Sequence, residues 1–470
     1  MSDVEVTSRG LTVADVSAIA EGRENLTITE DLGEFLAKMA GLAAQTSATR
    51  AVYGRSTGVG ANRSVPVHDP DGQLDRLLRS HATSAGLPRD PVRVRAAVAV
   101  RIAQLARGGS GLSRIAFQGL LQGVNDDTLP QVLEFGSIGT GDLSVFARIG
   151  VWLLDAPGGP RILPSDALPL MSSNAASLGD AALATYQLRE IADAALAVAS
   201  LTLRAVSGNV EAFGSAVELA TPFCGAREVC VTMRDLLDRD GYVEPPARIQ
   251  DPFGLRAMPQ GHGVLMDALS QATSVIEAMA NAPSENPVFD ELGGVTHHGA
   301  FHAAFLTHAM DGLLGALAQA AQLGIGRTVI LASPDLTGGR PFLADETPGA
   351  SGTMGVEFVA ASALARLRSL ATPAAVQTVV LSRGLEDDAS FASVSARNAL
   401  AAVAAYRVVV ACELLTAARA LLLFHPERLP TWDALGPLLI GLCEDADRDL
   451  TADLQVAELA IPALAALTRI

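Results

Sequence analysis

Five stretches of the 470-residue chain read as long helices built mainly from alanine and leucine, and no other feature narrows the fold as much. They are "PVRVRAAVAVRIAQLAR" (91–107), "GDAALATYQLREIADAALAVASLTLRAV" (179–206), "HGVLMDALSQATSVIEAMANA" (262–282), "FHAAFLTHAMDGLLGALAQAAQLG" (301–324) and "SVSARNALAAVAAYRVVVACELLTAARALLLF" (393–424). The first opens on Pro91, whose missing N–H is harmless in a first turn, and stops at Gly108-Gly109. A helix at a surface carries one apolar stripe. These carry small apolar residues on more than one face, so they are buried on several sides. With aromatic residues at only 4%, the core must be filled by Ala, Leu and Val on closely packed helices. The expected fold is all-α, a long central helical bundle whose spare apolar faces continue it across subunits.

Up to about residue 178 the chain is more broken, with Gly- and Pro-punctuated loops and shorter helices. This divides it into a loop-rich region, 1–178, and a long-helix bundle, 179–470, within one continuous structural unit. Strand candidates such as 228–233 are too few for a dominant sheet. A net charge of −17 and a pI near 4.9 argue against nucleic acid or an anionic membrane as partner. The N-terminus lacks a basic segment followed by an apolar run, and no charge-free apolar run reaches the length of a membrane span, so a cytoplasmic protein is expected. Cys224, Cys230, Cys412 and Cys443 have no CxxC spacing and read as reduced core thiols.

Residues 134–150, "EFGSIGTGDLSVFARIG", concentrate glycine as a phosphate loop would. A Walker loop ends in Gly-Lys-Ser/Thr, and here there is no lysine. Gly136, Gly139 and Gly141 also miss the dinucleotide spacing and have helical surroundings, so nucleotide binding is not expected.

Eight segments in order give this loop another meaning: "VYGRSTGVG" (52–60), "RSHATSAG" (79–86), "ARGGSG" (106–111), "GSIGTGDL" (136–143), "QDPFGLRAMPQ" (250–260), "NAPSENPVF" (281–289), "GAFH" (299–302) and "LEDDAS" (385–390). Together they resemble the histidine ammonia-lyase and aromatic amino acid lyase/aminomutase family from about residue 50 to residue 390. In that family the loop reads Gly-Ser-X-Gly-Ala-Ser-Gly-Asp-Leu. Its inner Ala-Ser-Gly cyclises and dehydrates into the electrophile methylidene-imidazolone (MIO), the serine supplying the methylidene carbon. Here Gly139 is followed by Thr140 and then directly by Gly141-Asp142-Leu143. The serine and one residue of loop are missing, and Thr140 aligns with the first member of the triad. No MIO is therefore expected.

The resemblance assigns further roles. Tyr53 falls on the tyrosine that removes a proton from the substrate's β-carbon; a phenol titrates near pH 10, so it needs activation. Arg256 falls on the arginine that grips the substrate carboxylate, a task suited to the guanidinium fork. Asn174 in "MSSNAAS" matches an asparagine serving the carboxylate and the MIO oxygen, although its flanking Gly-Thr is Ala175-Ala176 here. Glu386 matches a glutamate near the amine. His81 stands where members acting on histidine and tyrosine carry a histidine, which favours a substrate with a polar ring or tail. The departures fall on the electrophile side: Phe253 for a tyrosine, Ala300 for an asparagine, Leu385 for a glutamine. That pattern implies a pocket that still binds a carboxylate and has given up MIO chemistry.

The reading is a lyase, isomerase or cyclase without MIO, acting on a small, amino acid-like carboxylate. Tyr53 is its base and Arg256 its anchor, and the amides of Gly139, Thr140 and Gly141 face developing negative charge. The alternatives are a non-catalytic binding or partner homologue, and a true ammonia-lyase or aminomutase. By resemblance the protein is a homotetramer whose sites draw on three subunits. His298 and His302, spaced i,i+4 in "HHGAFH", offer a metal pair on one helix face, but no carboxylate motif completes the set and no metal is expected. Ser110 in "RGGSG" reads as structural, with no nucleophile elbow nearby.

Overall fold

The computed structural model describes residues 2–6, 10–239, 241–242, 244–442 and 446–468. Helices account for 64% of the chain and strands for 5%, so the all-α expectation holds. The residues group into two compact units. One comprises Met1–Tyr186, Ala272–Asp311 and Pro373–Leu400; the other comprises Gln187–Gln271, Gly312–Thr372 and Ala401–Ile470. Residues 1–178 thus fall wholly in the first unit.

The helices that matter below are α1 (Pro70–His81), α2 (Pro91–Leu105), α3 (Leu143–Leu154), α4 (Ala175–Ala205), α5 (Cys224–Asp238), α6 (Met258–Ala280), α7 (Ala304–Leu331), α8 (Met354–Leu370) and α9 (Ala392–Phe424). Both α1 and α2 start on an Asp-Pro pair: Asp69 and Asp90 accept the N–H groups of Gly72 and Val92, and the proline takes the first helical position. Every residue of α2 from Val94 to Leu105 is buried, so the helix has no solvent face. Small residues make that possible. A Cβ at Gly179 of α4 would lie 2.7 Å from the Ala97 nitrogen of α2, and one at Gly225 of α5 would lie 2.0 Å from the Gly263 carbonyl oxygen of α6.

In the first unit three motif segments converge. Met39, Ala43, Val52 and Phe289 form a buried apolar cluster that seats the residue just before Tyr53. Arg55 stacks over Phe289, 5.1 Å from its centroid, and donates to the Ser110 and Gly111 carbonyls at 3.0 and 2.9 Å. Ser110 therefore sits in a structural turn. In the second unit Glu413 of α9 accepts two hydrogen bonds from Arg327 of α7 (2.6 and 2.8 Å) and one from Thr202 (2.9 Å). Arg327 also donates to the Gly254 carbonyl at 2.9 Å, which ties the "QDPFGLR" turn to this buried pair.

Several expectations are corrected. Residues 228–233 lie inside α5, because Val229, Cys230, Met233, Leu236 and Leu237 are buried at helical spacing. His298 and His302 are not on a helix; both precede α7, which begins only at Ala304. Cys224 is exposed, whereas Cys230 and Cys412 are buried, with burial pushing the Cys412 thiol up to about 12; Cys443 lies outside the described residues. By length and composition, α7 and α9 are apolar enough to cross a membrane, yet α9 is largely buried within the fold and carries the buried Glu413 and Arg419.

The Arg327–Glu413 pair yields a stability prediction. Glu413→Ala leaves a buried guanidinium without its counter-charge and should cost about 3–5 kcal/mol. A guanidinium chloride titration followed by circular dichroism should show the midpoint fall accordingly.

Candidate functional site

A cavity of about 890 Å³ opens in the first unit. Its wall is drawn from separate motifs: Tyr53 and Gly60, His81, Thr140, the 297–302 segment, and the run Leu385 to Asp388. Tyr53 is half-buried on the loop seated by Val52. Its Oη accepts the Gly60 N–H at 2.7 Å, and its own N–H donates to His297 Nε2 at 3.2 Å. Burial pushes the phenol above its ordinary value, and nearby Glu386 adds to this; the Gly60 N–H and Arg63 pull the other way and are outweighed. Glu386 sits at the cavity wall on an irregular segment, with its backbone paired to Leu381 at 2.8 and 3.3 Å.

The glycine loop is held through its carbonyls and through Asp142. Its carbonyls are taken by the start of α9 and the residues before it: Ser393 Oγ donates to Ser137 (3.0 Å), Phe391 N–H to Ile138 (2.9 Å) and Ser390 Oγ to Gly139 (2.7 Å). Asp142, fully buried, closes the loop by accepting from Ser137 Oγ (2.5 Å), Ser177 N–H (2.7 Å) and Ser177 Oγ (3.0 Å). Burial raises the Asp142 carboxyl, and these donors oppose it. Gly139 and Gly141 have φ of +83° and +98°, where a side chain is strained. Among the described residues, the N–H groups of Gly139, Thr140 and Gly141 have no acceptor. Thr140 brings this unspent amide edge to the cavity wall. Asn174, 1% exposed, receives the Gln104 side-chain N–H on Oδ1 at 2.8 Å, and its Nδ2 has no partner.

Four histidines line the cavity, and the backbone sets three of their roles. His81, in the last turn of α1, places Nδ1 2.9 Å from the Leu77 carbonyl; Nδ1 must be the donor there, which leaves Nε2 as an acceptor when the ring is neutral. His297 accepts from Tyr53 N–H, as above, and burial lowers its pKa. His298 Nδ1 accepts from Ala300 N–H at 3.0 Å. His302 Nε2 lies 3.1 Å from Asp388 Oδ2. No group of three or more metal-type ligands occurs among the described residues.

Arg256 and Phe253 belong to the second unit. The Arg256 guanidinium stacks on the Phe253 ring at 4.7 Å, and its buried Nε has no partner. Among the described residues Arg256 makes no ion pair, so the guanidinium is uncommitted. The turn beneath it is fixed by the Arg327–Gly254 bond and by Asp251, which accepts from Asn209 N–H (2.6 Å) and Arg248. Arg63 and Ser382 at the cavity wall are not among the residues expected from the sequence, which offered His298 and His302 only as an incomplete metal pair. Arg63 follows "VYGRSTGVG" by three residues, and that proximity was the available signal.

A family model for aromatic amino acid lyase matches residues 11–158 and 160–436. The chain belongs to the aromatic amino acid lyase family. Histidine ammonia-lyase of Paracidovorax citrulli is 31% identical over 438 residues, 87% of this chain and 85% of that protein. The enzyme of that name from Geobacillus thermodenitrificans is 30% identical over 444 residues, 89% and 88% of the two chains. Tyrosine aminomutase from Streptomyces globisporus shares the fold, with a TM-score of 0.87 over 98% of this chain and 97% of that one at 24% identity. The family is one of lyases and isomerases, so the all-α lyase architecture frames this cavity.

The loop's tight seat can be probed directly. A Cβ at Gly139 would lie 2.2 Å from Ser390 Oγ and 2.8 Å from the Phe391 and Ala392 nitrogens. Gly139→Ala should therefore lower stability by about 1–3 kcal/mol, read as a drop in melting temperature, whereas Ala at exposed Gly159, with nothing within 4 Å of its Cβ, tests the φ penalty alone.

Proposed function

We propose that this family member is an enzyme that works without MIO, a lyase, isomerase or cyclase acting on a small carboxylate-bearing, amino acid-like substrate. The observation that carries the reading is the loop at 139–141. It has no serine to dehydrate and one residue too few. Its first glycine has no room for a side chain, and its carbonyls are already bonded to residues 390–393. The residues present do not fit the electrophile. Its three free N–H groups suit a different task, binding an oxygen on which negative charge develops.

Tyr53 is the base in this reading. The Gly60 N–H already occupies one lone pair of its oxygen, so the phenolate forms with a hydrogen bond in place. It takes a proton from substrate carbon. The electron pair of the broken C–H bond then forms a double bond and expels a group that leaves without covalent activation, or passes onto a neighbouring carbonyl. Arg256, uncommitted within the chain, grips the carboxylate. Glu386 offers a negative wall for a substrate cation, and His81 Nε2 an acceptor for a polar ring or tail. Phe253 orients Arg256 by stacking. We further propose a cytoplasmic homotetramer, in which Arg256 of one copy serves the cavity of another. Exposed apolar side chains such as Phe358 (71%), Val376 (73%) and Phe305 (80%) support burial against other copies.

A specific observation favours a second reading, a ligand-binding homologue without turnover: the raised Tyr53 pKa keeps the phenol neutral in the isolated chain. The pH dependence separates the two. With a base that ionises above pH 10, log kcat/KM should climb by about one per pH unit through pH 9 and flatten only beyond the shifted value. Tyr53→Phe should erase that limb and cost at least about 100-fold, and Arg256→Ala should raise KM for carboxylate substrates without dissociating the assembly. Binding that persists unchanged in Tyr53→Phe, with no turnover of histidine, tyrosine or their dehydrated and hydroxylated relatives, selects the second reading. Intact-mass measurement addresses the electrophile itself. The expected mass is that of the unmodified chain, and a deficit of two waters would restore an ordinary ammonia-lyase or aminomutase.

A further inference from the structure

We infer that Arg63 and Arg383 form an anion subsite beside the cavity, which takes a second negatively charged oxygen group of the ligand and so makes the substrate a dianion. A hollow of about 320 Å³ is lined by Ala61, Arg63, Ser382, Arg383, Gly384 and Leu385. Four of these, Ala61, Arg63, Ser382 and Leu385, also line the large cavity with Tyr53, so the two spaces share a wall. Both lie wholly within the first unit.

The backbone brings the two arginines to one place. Arg63 closes a short turn, its N–H donating to the Gly60 carbonyl at 3.1 Å. A Cβ at Gly60 would lie 3.0 Å from Ser382 Oγ, so this turn packs directly against the one that carries Arg383. There the chain doubles back, with Leu381 N–H on the Glu386 carbonyl at 2.8 Å. Ser382 and Arg383 sit in the left-handed region, at φ of +52° and +60°. Side chains adopt it only at a cost, and such strain concentrates at ligand sites.

Charge is segregated between the two spaces. Glu386, Asp387 and Asp388 line the large cavity, whereas the hollow has two guanidinium groups and no carboxylate. Among the described residues neither arginine forms an ion pair, although Asp387 stands only four positions from Arg383. Two neighbouring cations without a counter-charge repel each other, and an anion between them removes the repulsion. Both arginines are exposed, so a ligand entering from solvent can reach their N–H groups. Arg63 also pulls the Tyr53 pKa down, which puts its charge within electrostatic reach of that phenol.

A guanidinium edge matches two oxygens of a carboxylate or a phosphate. In the function proposed above, Arg256 holds the carboxylate near the reacting carbon; the inference rests on that reading for the first anionic group only. A ligand that reaches from there past Tyr53 to the hollow is amino acid-like with a carboxylate or phosphate at its far end.

Calorimetric titration of the full assembly with glutarate, 4-phosphonobutyrate and pentanoate, whose chains are of similar length, tests this. One or both dianions should bind at least about tenfold tighter than pentanoate, with the gap shrinking as salt is raised. The tighter dianion identifies the group that the hollow takes. Arg63→Gln and Arg383→Gln together should abolish the gap and leave pentanoate affinity within about twofold, with assembly size and melting temperature unchanged. No preference for either dianion, a preference that survives the double substitution, or an equal loss for pentanoate overturns the subsite. So does a crystal of the assembly grown with glutarate in which a carboxylate side chain of another copy fills the hollow. Arg256→Ala separates the two readings, since it should weaken all three ligands. If it weakens none while the dianion preference persists, the anchor proposed above falls and the subsite stands.

Discussion

Asp142 is the constraint on which the site depends. A buried carboxylate needs donors on every open lone pair, and here they come from the loop itself (Ser137) and from the start of α4 (Ser177). Satisfying Asp142 therefore fixes where α3 begins relative to α4. The segment before α9 then captures the loop carbonyls, and what remains outward is a row of N–H groups. The direction of the amides follows from where the carbonyls are spent.

The same economy shapes the cavity. Backbone groups, not side chains, decide which histidine nitrogen is free: a carbonyl for His81, an N–H for His297 and another for His298. Neighbouring residues 297 and 298 thereby present opposite nitrogens for hydrogen bonding. Tyr53 is part of the arrangement, since its N–H orients His297 while its oxygen is held by Gly60. In the second unit the buried Arg327–Glu413 pair does for Arg256 what Asp142 does for the loop, by fixing the turn that carries it.

Much of this was legible in the sequence. Long runs of Ala and Leu named the helices because a multi-sided buried helix has few other compositions, and the motif segments named Tyr53, His81, Thr140 and Glu386, which the fold gathers at one cavity. Asn174 is instead buried and bound to Gln104 away from the residues that line the cavity, and Arg256 with Phe253 belongs to the other unit. What the sequence hid was direction. The spacing of His298 and His302 suggested a helix face, yet the short strand Val295–Thr296, paired with Val288–Phe289, and the late start of α7 leave them in irregular chain. The run 228–233 carries the β-branched Val229, Val231 and Thr232, and only burial at helical spacing reveals α5. The unpartnered Nε2 of His298 depends on where Ala300 N–H points, which no residue type encodes.

Glycine in a helix ordinarily lowers stability by about 1 kcal/mol relative to alanine, so replacing it is a routine route to a tougher protein. The close crossings at Gly179 and Gly225 reverse that rule, since the added methyl meets backbone atoms that cannot move aside. Elsewhere on the helices, at Gly312, Gly315, Gly326 and Gly355, a Cβ meets nothing within 4 Å inside the chain. At those four sites the intrinsic helical gain is unopposed by the chain's own atoms. Any penalty measured for alanine there would have to come from outside the chain, which makes these silent positions reporters of whatever is packed against those helix faces.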